Sequence, residues 1–428
     1  MFIRRSNLLL FLTAAFSMTQ IRIVGYLGIS ELLMTVAGPF VLFKNWKFLK
    51  RDGFGPILLL SGLWVVSALI TDWYRQTEWS SLLKGMASPL MVLMMIPCLH
   101  AMLRDDIRLV KWAIVGFTVT VFLSTYVIPS GTTAAVAEMQ GITAREAALD
   151  YKLTFMSMVM SVFSLVPQLY YLRFPMLSLV ITLGLAVFGL LEGGRSAFLA
   201  LMMSAGLMLV GGGSAMRIRK VSRMIPLMFL SLVILSMGAK ILYEEAAKRE
   251  LMGEGERDKF EEQSASKLGL LSGRSQFVPI ALAIKDSPLI GHGSWAIDYK
   301  GYAIRAAEWM EDDKTLSILY RKGGVGYIPG HSHILVAYLW HGILGAVFWV
   351  YVLWILWRTF RHNLGVVPEL YGYLVLSLPP LIWAIFFSPF GGRVSTVTVL
   401  VVCLLVKRLN EPQWISRAKG VEMQTSIK

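Results

Sequence analysis

The chain is written in long apolar runs separated by short polar interruptions, and the spacing of those interruptions predicts its elements. A helix crossing the hydrocarbon core needs about 20 apolar residues, fewer where flanking groups reach the interface. Twelve runs fit that description: near Asn7–Ile23, Leu27–Phe43, Pro56–Ile70, Leu82–Cys98, Trp112–Ile128, Phe155–Tyr171, Leu177–Leu191, Ala197–Val210, Ile225–Ile241, Ile334–Trp357, Leu370–Phe387 and Val394–Val406. The expected fold is therefore all-α, a polytopic helical membrane protein of about 12 transmembrane helices. One long polar interval, 242–330, interrupts the pattern and is expected to form a large periplasmic loop with short helices. The organisation expected is nine N-terminal spans over 1–241, the loop over 242–330, three C-terminal spans over 331–407 and a tail over 408–428.

The basic residues orient these runs. Lys44, Lys47, Lys50 and Arg51, then Arg104, Arg108 and Lys111, then Arg217, Arg219, Lys220 and Arg223 fall in alternate connections, as do Arg358, Arg361, Lys407 and Arg408. Cytoplasmic loops concentrate Lys and Arg, so both termini are expected in the cytoplasm and the long loop outside it. Asp72-Trp73-Tyr74-Arg75 marks an outer interfacial turn. Arg4 and Arg5 before the first run read as an uncleaved anchor rather than a signal peptide.

Composition changes the meaning of charge. The chain has 428 residues, 56% hydrophobic and 16% charged, and a formal net charge of +14. Soluble domains carry about 25% charged residues. The excess of base sits beside span ends and forms no basic stripe with interleaved aromatics, which argues against nucleic acid. Cys98 and Cys403 both lie near predicted cytoplasmic span ends, so no disulfide framework and no structural zinc site is expected.

Candidate chemistry gathers at the outer span ends. Glu192-Gly193-Gly194-Arg195-Ser196 places a guanidinium at a glycine turn opening a helix, and Ser272-Gly273-Arg274-Ser275 repeats the setting. Arginine offers a planar fork to phosphate oxygens, and helix N-termini favour anions. An arginine there also has a plainer use, snorkelling to headgroups. Three of the six histidines fall within His331–His341. Residues two apart on a helix point about 200° apart, so His331 and His333 share no face and no metal-ligand spacing is present. His331, at the junction of loop and helix, is the candidate proton acceptor. His341 lies deeper, where it is expected to hydrogen-bond another helix. His292 between two glycines, His333, Arg393, Arg145 and Lys84 are second-tier candidates for the acceptor or phosphate path.

These residues carry a resemblance. Gly194-Arg195-Ser196, Ser272-Gly273-Arg274, Pro288-Leu289-Ile290-Gly291-His292-Gly293, then His331-Ser332 with Leu335, Gly342 and Gly345, are similar in kind and order to the O-antigen polymerase and O-antigen ligase family of bacterial envelope membrane enzymes. Ser332 stands where the family often has Asn, Trp340 where an acid is common and Val278 where a tryptophan often follows. The resemblance implies a cytoplasmic (inner) membrane enzyme with a periplasmic site. It would transfer a glycan from undecaprenyl pyrophosphate to a sugar hydroxyl, either on another repeat unit (a polymerase) or on lipid A core (a ligase). It implies no cofactor or metal, membrane lipids and polysaccharide assembly proteins as partners, Arg195 and Arg274 on the pyrophosphate, and His331 as base. A reading of a different class, a flippase or transporter of lipid-linked glycans, expects charges deep in the spans and repeated halves.

Overall fold

The computed structural model describes residues 5–17, 19–22, 26–104, 109–126, 174–191, 195–211, 276–310, 326–328, 332–362, 368–387 and 394–410, with 245, 316 and 330 as single positions. Within them the chain is mostly helical, in thirteen helices and one small hairpin. In chain order these are α1 (Arg5–Ala15), β1 (Gln20–Arg22), β2 (Tyr26–Gly28), α2 (Ile29–Arg51), α3 (Gly55–Tyr74), α4 (Trp79–Leu103), α5 (Val110–Tyr126), α6 (Pro175–Leu191), α7 (Arg195–Gly211), α8 (Phe277–Asp286), α9 (Tyr302–Met310), α10 (His333–His341), α11 (Ile343–His362), α12 (Pro368–Phe387) and α13 (Thr396–Asn410). The predicted runs at 155–171 and 225–241, and the long loop before Gln276, lie outside the described residues.

Two helices, α3 with 20 residues and α4 with 25, are long and apolar enough to cross a membrane. Apolar stretches of 10–17 residues lie in α5, α6, α7, α11 and α12. The outward faces are apolar. Leu59, Leu63, Val66, Ile70 and Trp73 of α3 are all exposed, at intervals of three and four that make one helical stripe. Ile343, Val347, Val350, Trp354 and Trp357 do the same on α11, and Leu33, Val36, Phe40 and Phe43 on α2. Polar groups are turned inward instead: Glu31, Ser61, Ser67, Thr71, Asp72, Ser88 and His341 are buried among the helices. Such large apolar patches are rarely left facing water.

Close helix packing follows from small residues. Gly38 of α2 lies so near Met94 of α4 that a Cβ there would be 2.6 Å from its Cβ, and Gly116 of α5 sits against the α1 backbone at Phe11. At the end of the bundle that carries Lys50 and Arg51, Asp52 accepts from His100 Nε2 at 2.9 Å and from Arg51 Nε at 3.0 Å. Burial works to raise the Asp52 carboxyl, but those two donors outweigh it and hold it below the usual carboxylate range. Lys407 of α13 donates to the α4 end through the carbonyls of Leu103 and Arg104.

Two expected elements are corrected. The run Asn7–Ile23 is helical only as far as Ala15, and Gln20–Arg22 near its end pairs with Tyr26–Gly28 as a hairpin. The run Ile334–Trp357 reads as a single span, yet the structure breaks it at Gly342 into α10 and α11. The His333 and Trp349 rings are stacked, centroids 4.9 Å apart and 9° from parallel. Sixteen residues of continuous helix would hold them about 24 Å apart, so α10 doubles back along α11. Hydropathy could not reveal this, because both arms are apolar. Gly342 makes the elbow at φ 69°, ψ −164°, a region essentially reserved for glycine. A Cβ on Gly342 would also strike the carbonyl of Leu289, and one on Gly345 would strike the carbonyl of Ala337 in the other arm. The boundaries of α2 and α3 shift too. Lys44, Lys47, Lys50 and Arg51 are the last turns of α2, and Asp72 to Tyr74 finish α3.

Candidate functional site

The site is the docking of the loop 287–295 onto the α10–α11 elbow. A helix that ends inside a protein leaves carbonyls without partners, and these must be satisfied. The α10 end is closed by the loop. His292 N donates to the carbonyl of Leu339 at 2.7 Å, Gly293 N to that of Trp340 at 3.0 Å, and Ile343 N returns a bond to Leu289 at 3.3 Å. The His341 carbonyl accepts from the Ser67 hydroxyl of α3. Backbone can approach backbone this closely only where no Cβ intervenes. Gly291 and Gly293 both have φ 87°, and a Cβ on Gly291 would lie 2.6 Å from Gly342 N.

Arg75, just past α3, clamps the loop from the outside. Its Nε and Nη2 reach the Gly291 carbonyl at 2.9 and 2.7 Å, and Nη2 also reaches Ser287 Oγ at 2.6 Å. Thr71 Oγ1 donates to the Ile290 carbonyl at 2.6 Å. The sequence marks Arg75 only as part of an interfacial turn; its partners are more than 200 residues away in the chain.

Beneath the loop runs a buried chain of four side chains. Trp64 Nε1–H donates to His341 Nδ1 at 2.9 Å. An indole nitrogen only donates, so the neutral imidazole carries its proton on Nε2, which lies 3.1 Å from Ser294 Oγ. Ser294 Oγ–H then donates to Asp72 Oδ2 at 2.7 Å. Asp72 Oδ1 accepts from Ser294 N at 2.6 Å and Thr77 Oγ1 at 2.9 Å. Gly85 of α4 makes room for the Ser294 side chain. The residue types are those of a hydrolase triad but the order is not. Serine sits between acid and imidazole, accepting a hydrogen bond from the imidazole and donating one to the carboxylate. A nucleophilic serine must instead donate to the imidazole and face the substrate. Ser294, His341 and Asp72 are all buried. The chain therefore pins loop to bundle and is not a nucleophile site.

The rest of the loop forms a small folded unit. Asp298 caps α9, accepting from Tyr302 N and Ala303 N, both at 2.7 Å. Tyr302 Oη donates to Asp286 Oδ2 at 2.8 Å and Lys300 Nζ to the same oxygen at 3.2 Å, which together hold the Asp286 carboxyl low. Burial, then that carboxylate, push the Tyr302 phenol up. Ile297 and Tyr327 make an isolated antiparallel bridge.

Of the sequence-selected residues, Arg274, His331, Arg145 and Arg393 lie outside the described residues. Arg195 is the first residue of α7, inside the helix rather than before it. Next to His331, Ser332 caps α10: its Oγ accepts from Leu335 N at 3.2 Å and donates to the Ile385 carbonyl of α12 at 2.7 Å. His333 is buried against Trp349. His292 Nε2 lies 2.7 Å from the Ala283 carbonyl at the end of α8, and its ring meets Tyr302 edge-on at 5.7 Å. That contact makes Nε2 a donor and by itself works to raise the pKa, but burial, helped by the charges of Arg75 and Lys300, outweighs it and pulls the pKa down. Lys84 is exposed on α4, its Nζ 6.0 Å over the Trp295 ring. The structure brings His292, His341 and Lys84 to one end of the bundle through a single loop. Asp72, Arg75, Ser294 and Trp64 complete that end; the sequence shows Asp72 and Arg75 only as parts of an interfacial turn, and no spacing signal marks Ser294 or Trp64.

No family model, no curated protein and no solved structure matches this chain.

Proposed function

We propose that this protein is a membrane glycosyltransferase of bacterial surface polysaccharide assembly. It takes a glycan from undecaprenyl pyrophosphate and joins it to a sugar hydroxyl of an acceptor repeat unit on the periplasmic side of the inner membrane. The observation that carries the reading is the locking of the Pro288–Gly293 loop onto α10. It ties the polar interval bearing Arg274 to the helix that His331 precedes. The apolar exterior of α2, α3 and α11, with polar groups such as Glu31, Thr71, Asp72 and His341 buried inside, supports a lipid environment. The resemblance of the Gly-Arg-Ser, Ser-Gly-Arg and Pro-Leu-Ile-Gly-His-Gly pieces supports the chemistry, and favours a polymerase over the ligase alternative.

In this mechanism the pyrophosphate is already a good leaving group. The transfer asks for stabilisation of its charge and a placed base, rather than a nucleotide site. Arg195 and Arg274 bind the departing pyrophosphate through charge-assisted forks. His331 removes the acceptor proton as the hydroxyl attacks the anomeric carbon, and a single displacement inverts that centre.

One observation favours a second reading. The buried Trp64–His341–Ser294–Asp72 chain places ionisable groups inside the helical bundle, where a transporter of lipid-linked glycans would hold a proton relay. Purified protein in lipid, supplied with lipid-linked repeat units, separates the two. Chain growth that is lost in His331→Ala and strongly reduced in Arg274→Lys supports the transferase. Normal growth in both variants sinks the residue assignment. Absence of growth together with inward-facing accumulation of lipid-linked units in a deletion strain favours transport.

A further inference from the structure

We propose that Trp295, Tyr327 and Lys84 form a docking subsite for a sugar ring bearing a negative charge, a uronate or a sugar phosphate. The proposal deepens the transferase reading and rests on it for its place in the reaction, but the binding it asserts stands by itself. Three segments far apart in sequence are brought together here. Trp295 follows Ser294, whose N–H and hydroxyl are both anchored on Asp72, so the indole is held from a fixed point. It adopts φ 55°, a left-handed conformation that bulky side chains rarely accept. Such outliers persist where the surroundings impose them, and they gather at ligand sites. The effect is to turn the indole out of the loop and onto Trp340, 5.4 Å away, with Tyr327 edge-on at 5.8 Å.

Tyr327 is 58% exposed and the neighbouring Ile297 40% exposed, so the aromatic group opens outward. Lys84 comes from α4, one residue before the Gly85 that admits Ser294, and places its ammonium 6.0 Å from the Trp295 ring centroid. The indole N–H itself is buried and has no acceptor among the described residues, so a ligand would meet the ring and not that donor. The axial C–H face of a pyranose is apolar and matches an aromatic face, while its rim is oxygen. An ammonium beside that face selects for an anionic substituent. A belt of aromatics at the membrane interface would need neither the strained backbone nor the lysine centred on one ring.

The test is binding without turnover. Full-length protein in detergent is titrated, with tryptophan fluorescence as the signal, against glucuronic acid, galacturonic acid, glucose 1-phosphate and a hyaluronan tetrasaccharide. Neutral glucose and chitotetraose serve as counterparts. Saturable binding of an anionic probe, tighter than its neutral counterpart, is expected. Lys84→Gln should weaken the anionic probe about tenfold and leave the neutral one unchanged, with Lys84→Arg restoring it. Tyr327→Ala should weaken both about three- to tenfold and Tyr327→Phe neither. Both positions are exposed, and an unchanged melting profile identifies the folded variants. No saturable anionic binding, or binding indifferent to Lys84→Gln and Tyr327→Ala together, overturns the subsite. Chain growth that persists in that event leaves the transferase standing, and binding that persists without chain growth leaves the subsite standing.

Discussion

Single residues at the elbow act through what they leave unpaired when changed. Ser294→Ala removes the donor to Asp72 Oδ2 and the acceptor for His341 Nε2–H in one step. Stranding those two buried groups should cost about 2–3 kcal/mol, read as a lowered unfolding midpoint of the purified protein. His292 sets a pH dependence. Its folded pKa is depressed by burial, so the unfolded loop takes up a proton first, and the stabilisation is complete above about pH 6.5, the unperturbed value. It is lost as pH falls from there through the folded pKa. Hydrogen exchange of the loop amides between pH 8 and 5 should therefore quicken at the acid end beyond the intrinsic chemistry, and His292→Gln should remove the trend. A loop equally protected at both ends of that range would show that His292 does not govern docking. His292 was readable in the sequence as a notable residue, flanked by glycines, but its partner was not. The Ala283 carbonyl it meets belongs to a helix whose orientation only packing decides.

The helices were legible as apolar runs, and most start and stop within a few residues of the sequence reading. α6 and α12 share their last residues, Leu191 and Phe387, with the predicted runs. The break in Ile334–Trp357 was not legible. A lone glycine in an apolar stretch is tolerated in a helix, and nothing in the one-dimensional pattern distinguishes a tolerated glycine from an elbow. What distinguishes Gly342 is its neighbour in space, the Leu289 carbonyl. Two measurements examine the hairpin. Cysteines replacing His333 and Trp349 should form a disulfide under mild oxidation, whereas a straight helix would keep them about 24 Å apart and unlinked. Gly342→Ala should destabilise by about 3 kcal/mol through the forbidden backbone angle and the lost approach, and it should also release the loop to protease at Lys300. A wild-type midpoint in that variant would mean that the elbow is not fixed by glycine.

At the scale of the molecule, the apolar stripes on the outside of α2, α3 and α11, with Ser, Thr and Asp groups buried within the bundle, are the feature with the widest consequence. In water it would be an aggregation surface; in hydrocarbon it is the expected arrangement, since the lipid solvates Leu and Phe and the bundle satisfies Ser, Thr and Asp. The two ends differ in chemistry. Lys44, Lys47, Lys50, Arg51, Arg104 and Lys407 belong to the end away from the docked loop. In intact cells, cysteine at Tyr327 should react with a membrane-impermeant maleimide, and cysteine at Lys47 only after permeabilisation. The reverse pattern would invert the proposed topology and with it the periplasmic site.

Taken alone, the sequence determined the helical class, the candidate spans, the charged ends recorded by Lys and Arg, and the glycine-flanked motifs, because each is a property of composition or local spacing. The tertiary structure decided how those motifs are used. It made one elbow of Gly291, Gly293, Gly342 and Gly345, ordered Asp72, Ser294 and His341 as a clasp rather than a triad, and placed Lys84 over Trp295. Those outcomes depend on atoms from segments separated by 47 to 274 residues, and no local pattern encodes which distant carbonyl a glycine must admit.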